Sequence, residues 1–439
     1  MTTPPPPEAF YSVASALPVQ MEPARALPPQ PKDDPFYTYS GTTPLEQHPP
    51  GAVLATRSVP YHILGLPTPL KTTQLLYRST SQTGKATANV TSVIQPLVQP
   101  DTTRIVSYQS AYDSLNRSDE PSYAINGGLT LGGLVTSVEL AVFGIFLAQG
   151  YTVIVPDTEG QRADFAAGPE YGMNTLDSIQ AAFNASAVET ASNAHVALLG
   201  YSGGAIASEW AAELAPTYAR DVNARLIGAA IGGVLVHPAH NLHYVEGTEV
   251  WAGVMPMALI GIARAFGVDF TPYLTPRGMD LFRAMQSSSI VHVLGQPPYR
   301  GLKWTDLVIG EYPTPESLPL FVTLANKLIM GTGGTPTIPL FIAQGANGFP
   351  EGTPGNKPDI GPGDGVMIAG DVRSLAREYC ARGTVVSYHQ YDLLSHTSAV
   401  TLFLLQAIGW IHDRFAGKPA PNNCASIAVG NPLDPLPLP

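Results

Sequence analysis

Short apolar runs recur along the chain and alternate with longer stretches whose apolar positions fall three and four residues apart. The runs at 73–80, 89–98, 104–110, 151–157, 195–201, 225–236, 338–346 and 384–392 predict strands, several continuously apolar as strands buried on both faces require. The three-and-four spacing predicts helices at 134–150, 173–186, 203–216, 372–383 and 401–417, most of them ending at Gly or Pro. Strands and helices in this alternation build an α/β fold, a mostly parallel central sheet with helices on both faces.

One region breaks the rhythm. Between about residue 236 and residue 338 no run reads as a core strand, and pieces such as VWAGVMPMALIGIARAFG and RGMDLFRAMQSSSIVHVLG predict an inserted helical unit lying on the sheet. The first 50 residues hold thirteen prolines, which predicts extended chain over the surface, and the composition returns after residue 417. The expected organisation is therefore a proline-rich segment packing on the core (1–50), a first part of the core (51–236), the helical insertion (237–337), a second part of the core (338–416) and a C-terminal extension (417–439). Leu129 to Leu147 comes nearest to a membrane span, but three Gly and Glu139 interrupt it, and it reads as a core helix.

Composition removes some function classes. Net charge is -11 with no Lys/Arg cluster, so a nucleic-acid partner is not expected. Charged residues make up only 13% of the 439, against roughly 25% in an average soluble protein. The surface must then be largely neutral, a surface compatible with lipid. Cys380 and Cys424 allow one disulfide or two free thiols, and nothing has zinc-ligand spacing. MTTPPPPEAF lacks a basic start and an apolar core, so the chain reads as a mature form carrying an added Met rather than one with a secretory signal.

The chemistry centres on Gly200-Tyr201-Ser202-Gly203-Gly204, which follows the apolar run at 195–201 and opens the helix predicted from 203. A G-x-S-x-G between strand and helix is a nucleophile elbow, where a sharp turn lifts the serine hydroxyl above the sheet and flanking glycines remove Cβ clashes. The plain alternative is a glycine-rich turn in a packed strand–helix unit. A serine hydroxyl needs a base, and the base an acid, and behind an elbow of this kind they follow as acid, then His. His48, His62, His195, His237 and His240 come too early, His243 and His292 fall in the insertion, and His389 and His412 sit inside a strand and a helix. His396 remains, in a loop between the last strand and the last helix. For the acid, Asp364 lies in the loop after the strand at 338–346, with Asp392 as runner-up. Asp359 reads as solvated, and Asp371 as a helix cap. Gly203 supplies one backbone donor for an oxyanion, and the second belongs to the loop after 104–110, where Asp113 is either that donor or only a turn former. Asp157, Glu159 and Asp177 read as structural, and Trp251, Met255, Met257, Leu259 and Ile260 as plain packing or the lining of an acyl tunnel.

DDPFY at 33–37, SYQSAYDS at 107–114, VPDTEG at 155–160, LDSIQA at 176–181, GYSGG at 200–204, the Asp364 segment followed by Cys380-Ala381-Arg382-Gly383, and the His396 loop together resemble the secretory lipase family. The resemblance runs in order from about residue 33 to about residue 425. It implies an α/β-hydrolase fold with a helical cap bearing a lid, and a secreted, cofactor-free carboxylic ester hydrolase acting on triacylglycerols or other esters. It further implies a triad of Ser202, Asp364 and His396, oxyanion donors at Gly203 and Asp113, and a Cys380–Cys424 disulfide. The partner expected is a lipid or other ester, with transient contact to a lipid interface through the cap. An acyltransferase or an esterase for a soluble substrate is the alternative. Two departures stand out: the cysteines for a second disulfide are missing, with DEPSY in the place of one, and the segment 347–363 before Asp364 is long and rich in Gly and Pro.

Overall fold

The computed structural model describes residues 27–439, so the first 26 residues of the proline-rich segment lie outside the described residues. A nine-stranded sheet organises the chain, comprising β1 (Val53–Ile63), β2 (Leu66–Thr80), β3 (Ala86–Ile94), β4 (Arg104–Gln109), β5 (Thr152–Pro156), β6 (His195–Tyr201), β7 (Leu226–Gly232), β8 (Leu340–Gly345) and β9 (Val386–Tyr391). The strand order is β1-β2-β3-β5-β4-β6-β7-β8-β9. From β5 across to β9 every neighbouring pair is parallel, while β1, β2 and β3 form an antiparallel meander that joins the sheet antiparallel through β3 and β5.

Alternation along each buried strand divides the core in two. Val196 and Leu198 of β6 face one helical layer with Leu340 and Ile342 of β8, where Ile179, Trp210, Val372 and Tyr379 pack. Ala197 and Leu199 face the other, with Phe341, against Phe143, Phe146, Phe403 and Trp410. The first layer is built by the helices Gly168–Asn184, Gly203–Tyr218 and Ala369–Ala381, the second by Leu134–Ala148 and His396–Phe415. Cys380 and Cys424 are bonded to each other, stapling the end of the helix Ala369–Ala381 to the C-terminal extension.

Two expectations are corrected. β1 and the first half of β2 were not expected as strands. Pro60, Pro67 and Pro69 interrupt their pattern, and only an outer strand pair of a sheet tolerates so many missing donors. The helix Leu134–Ala148 is the core helix expected, with Phe143, Phe146 and Leu147 buried in the second layer. Its first half also buries Thr136, Ser137 and Glu139, a polar face that serves the loop after β4, and the helix leaves Leu134, Val138 and Ile145 exposed. Asp371 is not a cap: Ile368 holds that position, and Asp371 sits buried in the first turn, accepting from Asn431 of the C-terminal extension and pairing with His240.

Between β7 and β8 the described residues form helices and no named strand, including Pro238–Val245, Val254–Phe266, Pro276–Ala284 and Pro319–Ala325. Their apolar faces gather Leu242, Trp251, Met255, Leu259, Trp304 and Phe321 into a cluster of their own, into which Val366, Met367 and Ile368 of the loop before the helix Ala369–Ala381 also pack. No helix among the described residues is long and apolar enough to cross a membrane.

Candidate active site

β6 ends in Tyr201 and the helix Gly203–Tyr218 starts at once, so Ser202 alone makes the turn. Its backbone takes φ 56 and ψ -122, a conformation that costs an ordinary residue a few kcal/mol and persists only where the surroundings over-determine it. Two glycines make the turn possible: a Cβ on Gly200 would land on the Gly204 carbonyl oxygen, and one on Gly204 would land on the Gln109 carbonyl at the end of β4. The serine hydroxyl is thereby raised over the C-terminal edge of the sheet.

Two further loops at the same edge complete the arrangement. Ser202 Oγ donates to His396 Nε2 at 2.8 Å, and His396 Nδ1 donates to Asp364 Oδ2 at 2.8 Å. Asp364 is fully buried and does not depend on His396 alone: Oδ1 accepts from the backbone N–H of Val366 and Met367, and Oδ2 accepts from Gln344 at the end of β8. The backbone N–H of His396 donates to the Asp364 carbonyl at 2.7 Å, and the Tyr201 hydroxyl donates to the carbonyl of His396. Ring position and tautomer of the imidazole are thus fixed from both sides. Burial pulls the His396 pKa down, but the Asp364 charge and hydrogen bond outweigh it and the net shift is upward. The other acids lie elsewhere: Asp359 is exposed, and Asp392 is exposed and accepts from Gln390.

Gly203 is the first residue of its helix, so its N–H has no intrahelical partner and sits at the positive end of the dipole. Asp113, in the loop after β4, comes directly against it, since a Cβ on Gly203 would land on Asp113 Oδ1. Asp113 has φ 35, and its conformation is held from three directions. Ile290 N–H donates to its carbonyl, Ser114 N–H donates to Glu159, and Ala111 N–H donates to Glu139. Burial raises the Asp113 carboxyl to about 7, only partly opposed by His396. Glu159 and Asp157 therefore act as the sequence reading expects: Asp157 accepts from Ser122 N–H and Oγ and Glu159 from Tyr171, all holding loops. Asp177 holds no loop but ties the helix Gly168–Asn184 to β2 through Ser79 and to the helix Gly203–Tyr218 through Tyr218.

An apolar cavity opens beside Ser202, lined by Trp251, Met255, Leu259, Phe321, Val366 and Met367 among others. Of the five residues named for a tunnel, Trp251, Met255 and Leu259 line it, whereas Met257 and Ile260 point into a separate cluster with Leu115 and Phe165. Sequence reasoning missed Gln344, Tyr201 and Glu351, which accompany the serine, acid and histidine. A polar residue closing the apolar run LFIAQG is the one signal that pointed to Gln344.

The model of the secretory lipase family matches residues 126–348, just over half of the chain. The chain belongs to the secretory lipase family. Lipase 4 of Candida albicans is 37% identical over 91% of this chain and 85% of its own length. A protein of Mycobacterium tuberculosis named "probable inactive lipase" is 31% identical, covering 90% of this chain and 84% of itself. Among solved structures, Candida antarctica lipase A in its closed state superposes with a TM-score of 0.78 at 26% identity, covering 94% of this chain and 92% of that one. The fold is that of the α/β-hydrolases, and this secretory lipase is a carboxylic ester hydrolase.

Proposed function

We propose that this chain is a secreted serine lipase or esterase that cleaves lipid esters through an acyl-enzyme on Ser202. The observation that carries the reading is the unbroken relay Ser202–His396–Asp364, every link at 2.8 Å and the acid fully buried and hydrogen-bonded. Ser202 Oγ attacks the ester carbonyl carbon while His396 Nε2 takes its proton, and the oxygen gains the negative charge. The backbone N–H groups of Gly203 and Asp113 stabilise that charge. The Asp113 carboxyl, raised to about 7, is neutral through the weakly acidic range and does not repel it there. His396 then protonates the departing alcohol, and water repeats the sequence to release the acid and restore Ser202.

The apolar wall of Met255, Leu259 and Phe321 supports a long acyl chain as the substrate's anchor. The intact relay also favours activity in this chain over the inactivity in the name of the mycobacterial relative. Secretion rests on the family and on the Cys380–Cys424 bridge, since such bonds persist in oxidising compartments.

Hydrolysis of p-nitrophenyl esters from acetate to palmitate tests the proposal, with Ser202→Ala beside the parent. The parent should cleave the longer chains, and the variant should lose on the order of 10³ to 10⁶ in kcat. Equal activity of the two would rule Ser202 out.

A further inference from the structure

The segment 346–363 between β8 and Asp364, long and rich in Gly and Pro, carries one buried carboxylate, Glu351. Both of its oxygens accept. Oε1 takes the backbone N–H of Thr397 at 2.8 Å and the Thr397 hydroxyl at 2.7 Å, while Oε2 takes the indole N–H of Trp251 at 2.9 Å. Thr397 is the residue after His396 in the first turn of the helix His396–Phe415. Its N–H is one of the donors a helix start leaves without an internal partner, and an anion is favoured there by the dipole. Glu351 thus caps from outside the helix that carries the candidate base. Trp251, at its other oxygen, comes from the helical insertion, and its ring stands perpendicular to the His396 ring, at 5.4 Å and 84°. The pair also lies on the acid's neighbour, because a Cβ on Gly365 would meet Glu351 Oε2 at 2.7 Å and Trp251 Nε1 at 3.0 Å. The far end of the same segment grips the insertion, where Lys357 Nζ donates to the carbonyls of His243, Tyr244 and Glu246 at the end of the helix Pro238–Val245.

We infer that Glu351 is a positioning residue for His396, and that through Glu351 and Trp251 the segment 346–363 couples the helical insertion to the catalytic base. The inference rests on the reading of Ser202, His396 and Asp364 as the triad. A carboxylate is required at 351 because all three donors point at it, and an amide offers only one accepting oxygen. An amide nitrogen would face either Trp251 N–H or Thr397 N–H, donor against donor, and one tie would open. The charge itself reaches the imidazole. The groups facing His396 are Asp364 from the loop after β8, Glu351 from the same loop, Asp113 from the loop after β4, and Ser202 with the Tyr201 ring from β6. The charges of Asp364 and Glu351, and that of Asp113 where it is ionised, raise its pKa against the effect of burial.

Glu351→Gln tests the coupling on a soluble substrate, p-nitrophenyl butyrate. Expected are a loss of about tenfold in kcat with KM nearly unchanged, and an acid limb of kcat/KM displaced to lower pH by roughly half a unit, because removing a negative charge makes the imidazole easier to deprotonate. Trp251→Phe keeps the ring and removes the indole N–H. It should lower kcat without moving the limb, and it serves if Glu351→Gln does not fold. Parental kcat and parental limb in Glu351→Gln, or parental kcat in Trp251→Phe, overturns the inference. Phosphonate labelling of Ser202 in the parent separates the two levels: labelling with no effect of the 351 and 251 variants sinks only the coupling, whereas no labelling sinks the triad reading beneath it.

Discussion

Ser202, Asp364 and His396 stand at the C-terminal ends of β6, β8 and β9, and the carboxylate of Asp364 accepts from Val366, Met367, Gln344 and His396 together. The wall facing them is made differently. Met255, Leu259, Phe321 and Ile262 of the helical insertion meet the cavity with apolar atoms alone, and the indole N–H of Trp251 points away from it to Glu351. Hydrogen bonds fix the first group to within a fraction of an ångström, whereas apolar packing is non-directional and tolerates exchange of similar volumes. The contrast teaches where each property of the enzyme resides. In the proposed function, chemistry belongs to the sheet edge and should be intolerant of change, while substrate choice belongs to the insertion and should be adjustable.

The sharpest break of that contrast is Asp364→Asn. An amide keeps the shape but can hold His396 in the wrong tautomer, so kcat should fall roughly 10⁴-fold with the fold intact by circular dichroism. A loss under tenfold would show that the polar floor is less exacting than its geometry. On the apolar side, Leu259→Trp should fill the cavity beside Ser202. We expect kcat/KM for the palmitate ester to drop about ten- to a hundredfold while the acetate ester is cleaved as before. A uniform loss on both esters would place Leu259 with the chemistry instead.

The smallest effect concerns stability, and it follows from the polar side. Burial holds Asp113, Glu139, Asp157 and Asp177 up to about 7. Their unfolded values lie near 4, so between about pH 4 and pH 7 the folded chain binds more protons than the unfolded one, and stability is lost as pH rises through that window. His396, also raised, acts in the same direction. His237, lowered by burial and by His240 to about 4, acts oppositely below its unfolded value near 6.5. His389 and His412 are lowered too, but Glu120, Glu159, Glu170 and Glu209 join the raised carboxyls, so the acids outweigh the imidazoles and the melting temperature should be higher at pH 5 than at pH 8, by roughly 5 °C. A flat or rising profile would mean that these acids are ionised in the fold.

The parallel strands and their helices were legible because burial on both faces writes itself as uninterrupted apolar runs, as in HVALLGY and PLFIAQG. That Ser202, Asp364 and His396 come together was legible for a related reason: Ser202 directly follows one such run, and the other two lie in loops that follow others. β1 was not, since Val53–Ile63 is an outer strand carrying Arg57 and Pro60, and its pattern obeys no strict alternation. Glu351 was not either. It acquires meaning from Trp251, 100 residues earlier in the chain, and from Thr397, 46 residues later, and no local signal marks a partner at such distances.

Stoichiometric labelling with an alkyl p-nitrophenyl phosphonate, followed by peptide mass spectrometry, tests the central claim most directly. The account predicts one adduct per chain, on the peptide holding Ser202, with esterase activity lost in proportion and no adduct in Ser202→Ala. Labelling at another residue, or full activity persisting after Ser202 is modified, would contradict it.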